Sequence, residues 1–211
     1  MLARDALASR EPASSFISES KGQLSKLDRI TSDLLDLSRL EARLSGTDLH
    51  LGDVRNPVFN AVHGLRDLID ARELTIQLDL PEEPVLARFD SAALEKALSN
   101  LIDNAIKYSA EGAKIAVWLS VKNSLALITV RDYGQGIPEE EMEIIIDRSH
   151  RGSNARGDGS GLGLAIVQEI IAIHGGELSA RNEDDGGCIF EIDLPMTGDL
   201  EAPKLTDLEN G

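Results

Sequence analysis

One cysteine, Cys188, stands alone among 211 residues. That excludes an internal disulfide and any cysteine-built metal cluster, and it fits a reducing compartment. No stretch reaches the roughly 20 consecutive apolar residues of a membrane span. The best run, Leu162 to Ile173, is interrupted by Gln168 and Glu169, and the N-terminus has no apolar signal core. The expectation is a soluble, cytoplasmic chain, alone or as the cytoplasmic part of a longer, membrane-anchored protein. Basic residues are also scarce: Lys plus Arg total 21 against 37 Asp plus Glu, a formal net charge of −16. A surface this acidic does not grip nucleic acid or an anionic membrane through its general field. Any polyanion must be held locally, by backbone amides, a few cations or a metal. No Walker A sequence and no internal repeat is present.

What is present suffices for one packed domain with an appendage: 42% hydrophobic and 27% charged residues. Three regions separate by pattern. In residues 1–46, Leu24, Leu27, Ile30, Leu34, Leu37 and Leu44 recur at steps that place them on one stripe. This predicts a long amphipathic helix from Phe16 to Leu44 with a coiled-coil-like seam, ended by Ser45 and Gly46. Residues 47–196 alternate in type. Helices are expected over Val54–Asp70, Ser91–Lys107 and Gly161–His174. Strands are expected over Leu74–Leu80, Val85–Phe89, Lys114–Val121, Ser124–Arg131, Glu177–Asn182 and Cys188–Leu194. A tight turn at Lys122–Asn123 joins two of them, and Asp132–Ser160 is loop-rich, with the acidic residues after Pro138 suited to a helix start. Hairpins mixed with helices, rather than strict βαβ alternation, read as a two-layer α/β sandwich, a mixed sheet with helices on one face. Residues 197–211 are acidic and aperiodic and read as a disordered tail.

Three segments carry chemistry. In the helix that contains Leu98–Ser109, the core stripe is Leu94, Leu98, Leu101 and Ala105, while Asn100, Asn104 and Lys107 share another face. Asparagine is a poor mid-helix residue because its amide competes with the backbone. That face is either merely solvated or a carbonyl ligand for a hard metal ion beside a lysine for phosphate oxygens. In Arg131–Pro138, Asp132 follows a strand and precedes Gly134 and Gly136, where a ligand can approach the backbone closely and the carboxylate can accept from an exocyclic amine. In Gly157–Val167, Gly159, Gly161 and Gly163 precede or open an apolar helix, and taken alone the cluster is either a flexible loop or an anion site made by unpaired amides and the helix dipole. Arg151 and Arg156 lie just upstream.

In this order, the segments resemble the N, G1 and G2 boxes of the ATP-binding domain of sensor histidine kinases, within the GHKL superfamily (Bergerat fold). The resemblance covers about Leu49 to Pro195, and Asp33–Ala42 resembles the end of the second helix of that family's dimerisation and phosphotransfer domain. It implies an enzyme, a histidine protein kinase of a two-component system, that binds ATP or ADP and Mg²⁺. Asn104 would ligate the metal, with Asn100 in support. Lys107 would touch phosphate and Tyr108 would line the nucleotide. Asp132 would accept from the adenine amine, with Gly134 and Gly136 shaping the pocket. Gly159, Gly161, Leu162 and Gly163 would belong to the lid over the triphosphate, and Arg151 would meet the γ-phosphate. The implied partners are an acceptor-histidine helix, a response regulator and a second copy docked through the N-terminal helix. Nucleic acid is not among them.

Two departures from the family bear on function. No histidine sits in an acceptor context. His63 is followed by Gly-Leu-Arg without the acidic neighbour and the proline of the acceptor motif; His174 precedes Gly175, a helix C-terminal position with a structural role; His50 and His150 have no evident partner. Before the basic lid segment, Ile146, Ser149 and His150 stand where the family usually has aromatics, and with 3% aromatic residues overall a loose lid is expected. Cys188 reads as a small buried apolar residue. Two alternatives stay open: a non-catalytic nucleotide-binding regulatory module, and a GHKL-type ATPase. The ATPase needs a carboxylate base one turn before the metal-binding asparagine, where this chain has the amide of Asn100. Incubation of this chain alone with γ-labelled ATP is expected to leave no acid-labile phosphohistidine. Label that disappears in His63→Ala would contradict this.

Overall fold

The computed structural model describes residues 49–146 and 162–197, together with Ser20, Gln23, Leu24, Leu27, Thr31 and Leu35. These six are helical, and the Thr31 hydroxyl donates to the Leu27 carbonyl at 2.8 Å, one turn back. Leu24 and Leu27 of the expected stripe are 66% and 62% exposed, so no other described element covers them. Ile30, Leu34, Leu37 and Leu44 lie outside the described residues, as do the lid segment from 147 to 161 and the acidic tail from 198.

The elements run β1 (His50–Asp53), α1 (Arg55–Gly64), α2 (Arg66–Ala71), β2 (Thr75–Asp79), β3 (Leu86–Phe89), α3 (Ser91–Tyr108), β4 (Lys114–Lys122), β5 (Leu125–Asp132), α4 (Glu139–Ile146), α5 (Gly163–Ile173), β6 (Glu177–Asn182) and β7 (Cys188–Pro195). A five-stranded sheet has the order β2-β4-β5-β7-β6. Its β2–β4 pair is parallel and the others are antiparallel. The architecture is the expected two-layer α/β sandwich with a mixed sheet. Alternation sets the faces: Ile115, Val117 and Leu119 of β4, Ala126, Ile128 and Val130 of β5, and Phe190, Ile192 and Leu194 of β7 all point into the core.

Helix α3 lies between α1 and α5 and is the centre of the helical layer. Asp90 caps it, its carboxylate accepting from the Ala93 amide at 3.1 Å. Leu94, Ala97, Leu98, Leu101, Ile102, Ala105 and Ile106 are buried. Each large one of these stabilises the packed state by roughly 1.5–3 kcal/mol relative to exposure.

Several local expectations need correction. The single helix expected over Val54–Asp70 is two helices. Gly64 weakens the helix, and Leu65 leaves it at φ −104°, ψ 9°, its amide turning back to Val62. The hairpin turn is Asn123–Ser124 rather than Lys122–Asn123. Both residues have positive φ, 52° and 62°, and Lys122 pairs with Leu125, as a two-residue type I′ turn requires. Strand β1 was not expected. It lacks an alternating pattern and exists by pairing with β3, where Gly52 passes over the Phe89 ring so closely that a Cβ would lie 3.0 Å from Cζ. Inside the stretch read as loop-rich, Glu139–Glu141 occupy the first turn of α4, opposite the positive end of its dipole.

His174 ends α5 and is buried. Its Nε2 accepts from the Asp90 amide at 2.9 Å, while Nδ1 lies 2.6 Å from the Ile170 carbonyl. Both contacts are satisfied only by the neutral ring with its proton on Nδ1, donating to Ile170. The imidazole thereby ties the end of α5 to the start of α3. His174→Ala removes both bonds from a buried place and is expected to cost about 1–3 kcal/mol in a denaturant titration. An unchanged midpoint would contradict the tie.

Candidate functional site

The burial of one side of α3 decides what its other side presents. Asn100, Asn104 and Lys107 are half-buried on the remaining face. The Asn100 amide donates from Nδ2 to the Gly163 carbonyl at 3.3 Å, which joins α3 to the first residue of α5. Lys107 pairs through Nζ with Asp103 Oδ2 at 3.2 Å, one turn back along the helix. Tyr108 closes the helix and is 56% exposed.

The Tyr108 backbone, rather than its ring, makes the tightest contact. A Cβ on Gly134 would lie 2.3 Å from the Tyr108 carbonyl oxygen, so only glycine allows the loop after β5 to come this close to α3. Asp132 is the last residue of β5, one beyond the expected strand end, and is 6% exposed. Its Oδ1 accepts from the Gly134 amide at 2.9 Å and the Cys188 amide at 3.3 Å. Burial pushes the Asp132 carboxyl above the ordinary carboxylate range, opposed by these amide bonds and by the charge of Arg131. Gly136 has φ +75°, and a Cβ there would lie 2.9 Å from Asn182 Oδ1.

The structure thus brings together Tyr108, Asp132 and Gly134, and, about two turns back along α3, Asn100 and Gly163. Asn104 sits on the same face one turn from Asn100. A Cβ at Gly163 would meet Asn100 only at 3.9 Å, an ordinary contact. Leu162 is half-buried at the N-cap of α5 and accepts from the Ile166 amide. Arg151, Gly159 and Gly161 lie outside the described residues. His63 is exposed on α1 with its ring 4.0 Å from Phe59, and it is remote in the chain from these segments.

The turn between β6 and β7 was read only as a connection, yet it backs the whole Asp132 loop. Gly187, at φ +83°, approaches the Asp132 carbonyl so closely that a Cβ would stand 2.1 Å from it. Asp185 pairs with Arg131, whose guanidinium lies 4.3 Å from the centre of the Tyr133 ring. Asn182 bonds both polar groups of Ile137. The doubled glycine after Asp184–Asp185 supplies the two adjacent positive-φ positions of this turn, Gly186 and Gly187, but nothing in it says which segment the turn approaches. Cys188 is buried, as expected, and burial, with the charge of Asp132 second, pushes its thiol up to about 12.

For a divalent metal the donor set is instructive. Among the described residues no group of three or more His, Cys, Asp or Glu could hold an ion. An all-protein cage is therefore absent there. The side-chain amides of Asn100 and Asn104 on α3 are oxygen donors of the kind Mg²⁺ accepts, an ion that keeps waters and takes most other oxygens from phosphates. No described helix is long and apolar enough to cross a membrane.

Asp132 also has a cost that can be measured. A carboxyl whose pKa is raised on folding contributes stability below its unfolded value, near 3.9, and loses it as pH rises through the folded value. At neutral pH the charged group opposes folding. Asp132→Asn keeps an acceptor for Gly134 and Cys188 and carries no charge. It is expected to raise the melting temperature of the nucleotide-free protein at pH 7, by a margin that narrows as pH falls toward about 4. A margin that widens on acidification would contradict the assignment.

Residues 89–198 match the family described as Histidine kinase-, DNA gyrase B-, and HSP90-like ATPase. Sensor histidine kinase MtrB of Mycobacterium tuberculosis is 33% identical over 177 residues, 82% of this chain and 31% of that relative. The chain therefore spans about a third of the length of such curated relatives. Among solved structures, the Acinetobacter baumannii histidine kinase AdeS superposes with a TM-score of 0.67 at 28% identity, covering 86% of this chain and 84% of that one. The catalytic domain of histidine kinase ThkA superposes at 0.65 with 23% identity, covering 71% of this chain and 96% of that one, a likeness of fold. With the half-buried asparagines of α3, the buried Asp132 and the glycine loops in the matching order, the chain belongs to the histidine kinase-, gyrase B- and HSP90-like ATPase family, as an ATP-binding domain related to the sensor histidine kinases.

Proposed function

We propose that this chain is the Mg-ATP-binding catalytic region of a two-component sensor histidine kinase, with its nucleotide-binding domain over residues 47–196. It presents the γ-phosphoryl group to a histidine supplied by another segment or another chain, for onward transfer to a response regulator. Asp132 accepts from the adenine amine, for which its second oxygen, Oδ2, is suited while Oδ1 holds two backbone amides. Gly134 and Gly136 form the wall, Tyr108 lines the base, and Lys107 exchanges Asp103 for a phosphate oxygen. Asn104, with Asn100 beside it, holds the metal, which supplies charge neutralisation at the phosphates. Arg151 and the glycines at 159, 161 and 163 complete the phosphate side, with Leu162 between them. Phosphoryl transfer proceeds through a loose transition state, so the task of these groups is to position and to neutralise.

The observation that carries transfer over hydrolysis is Asn100. A GHKL-type ATPase needs a carboxylate there to take a proton from water, and an amide has no such capacity. In this structure the Asn100 amide is engaged in a bond to Gly163. The exposed Leu24 and Leu27 support a helix-mediated homodimer, since apolar residues at helical spacing gain by finding a second helix.

Incubation with γ-labelled ATP and a separately supplied acceptor-histidine helix is expected to give acid-labile phosphohistidine on that helix, with little free phosphate. Nucleotide binding without any transfer would favour a regulatory module, and rapid phosphate release would favour an ATPase. Asn104→Ala is expected to weaken Mg-dependent ATP binding at least tenfold, about 1.4 kcal/mol by calorimetry. Wild-type affinity in that variant would remove Asn104 from the metal.

A further inference from the structure

We infer that Asn182 is a positioning residue for base recognition: it fixes the path of the loop from Asp132 to Ile137 and, through that loop, the aim of the Asp132 carboxylate. The inference rests on the reading of this site as an adenine-nucleotide pocket.

Asn182 is the last residue of β6, an edge strand of the sheet, and is exposed. Its side chain nonetheless uses both ends on one residue. Oδ1 accepts from the Ile137 amide at 2.9 Å and Nδ2 donates to the Ile137 carbonyl at 2.7 Å. A carboxamide carries the same donor and acceptor as a peptide group, so Asn182 pairs with Ile137 as a neighbouring strand residue would. The loop is thereby held against the sheet edge without being a strand.

The glycines show how tightly this places the loop. Gly136 takes φ +75° and passes Asn182 at a distance that leaves no room for a Cβ. Gly134 abuts the Tyr108 carbonyl, and Gly187 abuts the Asp132 carbonyl. The loop is wedged between the C-terminal end of α3 and the β6–β7 turn. Its far end would still be adjustable without the Asn182 bonds, because glycines at 134 and 136 give it backbone freedom. The Gly134 amide that holds Asp132 Oδ1 lies between the two anchored ends, so displacement of Ile137 propagates to the carboxylate.

The role differs from support of the fold. Asn182 is exposed and its loss lets water reach the Ile137 amide, so little packing is given up. Asn182→Ala is expected to speed hydrogen exchange at the Ile137 amide by at least about tenfold with little change in melting temperature. ATP affinity is expected to fall roughly fivefold, the scale of one net hydrogen bond. GTP has a carbonyl where adenine has its amine, so in the same pose it presents Asp132 with an acceptor instead of a donor at that position, and its weaker binding is expected to change less than about twofold. Calorimetric titration of both nucleotides reads the split. An unchanged ATP affinity in the variant, or equal losses of ATP and GTP alongside a lowered melting temperature, would overturn the positioning role and leave the pocket intact. Failure of the unaltered chain to bind any adenine nucleotide would overturn the underlying reading of the site as well.

Discussion

Helix α3 has one way to bury seven apolar residues, and much else follows from that orientation. Its stripe from Leu94 to Ile106 meets the inward side of β5, in one core with the inward residues of β4 and β7, while α1 and α5 flank it. With 18 residues the helix spans about five turns. The unburied face therefore carries Asn100, Asn104 and Lys107 past the start of α5 and delivers Tyr108 to the end of β5. Rotation of the helix by a single residue would bury an amide without a partner and turn a leucine to water, a double loss of several kcal/mol. The residues proposed to face the nucleotide need no separate device to aim them.

The site itself works against stability in one respect. Asp132 is a carboxylate placed where water is largely excluded, and the protein offsets the desolvation with two backbone amides rather than a salt bridge. A cation in contact with the carboxylate would carry its own desolvation cost and would occupy the oxygen that the proposed reading leaves for the adenine amine. Arg131, its neighbour in sequence, points to the opposite sheet face as alternation demands, where it meets Asp185 and the Tyr133 ring. With amides in place of a counter-ion, Asp132 keeps its charge uncompensated by a salt bridge, which is what the proposed recognition role requires.

Much of this was legible in the sequence because it rests on local pattern. The stripe of α3, the β6 bounds, the two-layer class and the asparagine face follow from periodicity alone. The Asp132 loop was legible as a glycine-bearing turn after a strand, though the strand end was set one residue early, because a buried aspartate continues the ladder. The failures have a common cause. Strand β1 exists only through its partner β3, Gly64 acts by a small propensity difference, and the support of the Asp132 loop comes from residues about 50 positions later. Nothing local in Asn182 or Gly187 announces that they touch 132–137. Contacts of that kind depend on the register between β5, β7 and β6, which hydrophobic alternation fixes to a face but not to a partner.

The solitary thiol has a practical consequence. Cys188 lies under the sheet face, shielded by packing and held protonated far above physiological pH. Native protein thus offers electrophilic dyes no competing nucleophilic sulfur. A cysteine placed on an exposed position, such as Ser120 on the outer surface of β4, becomes the one place where a fluorophore, spin label or crosslinker attaches. Distances between labelled points can then be read in the intact molecule without first removing its natural cysteine.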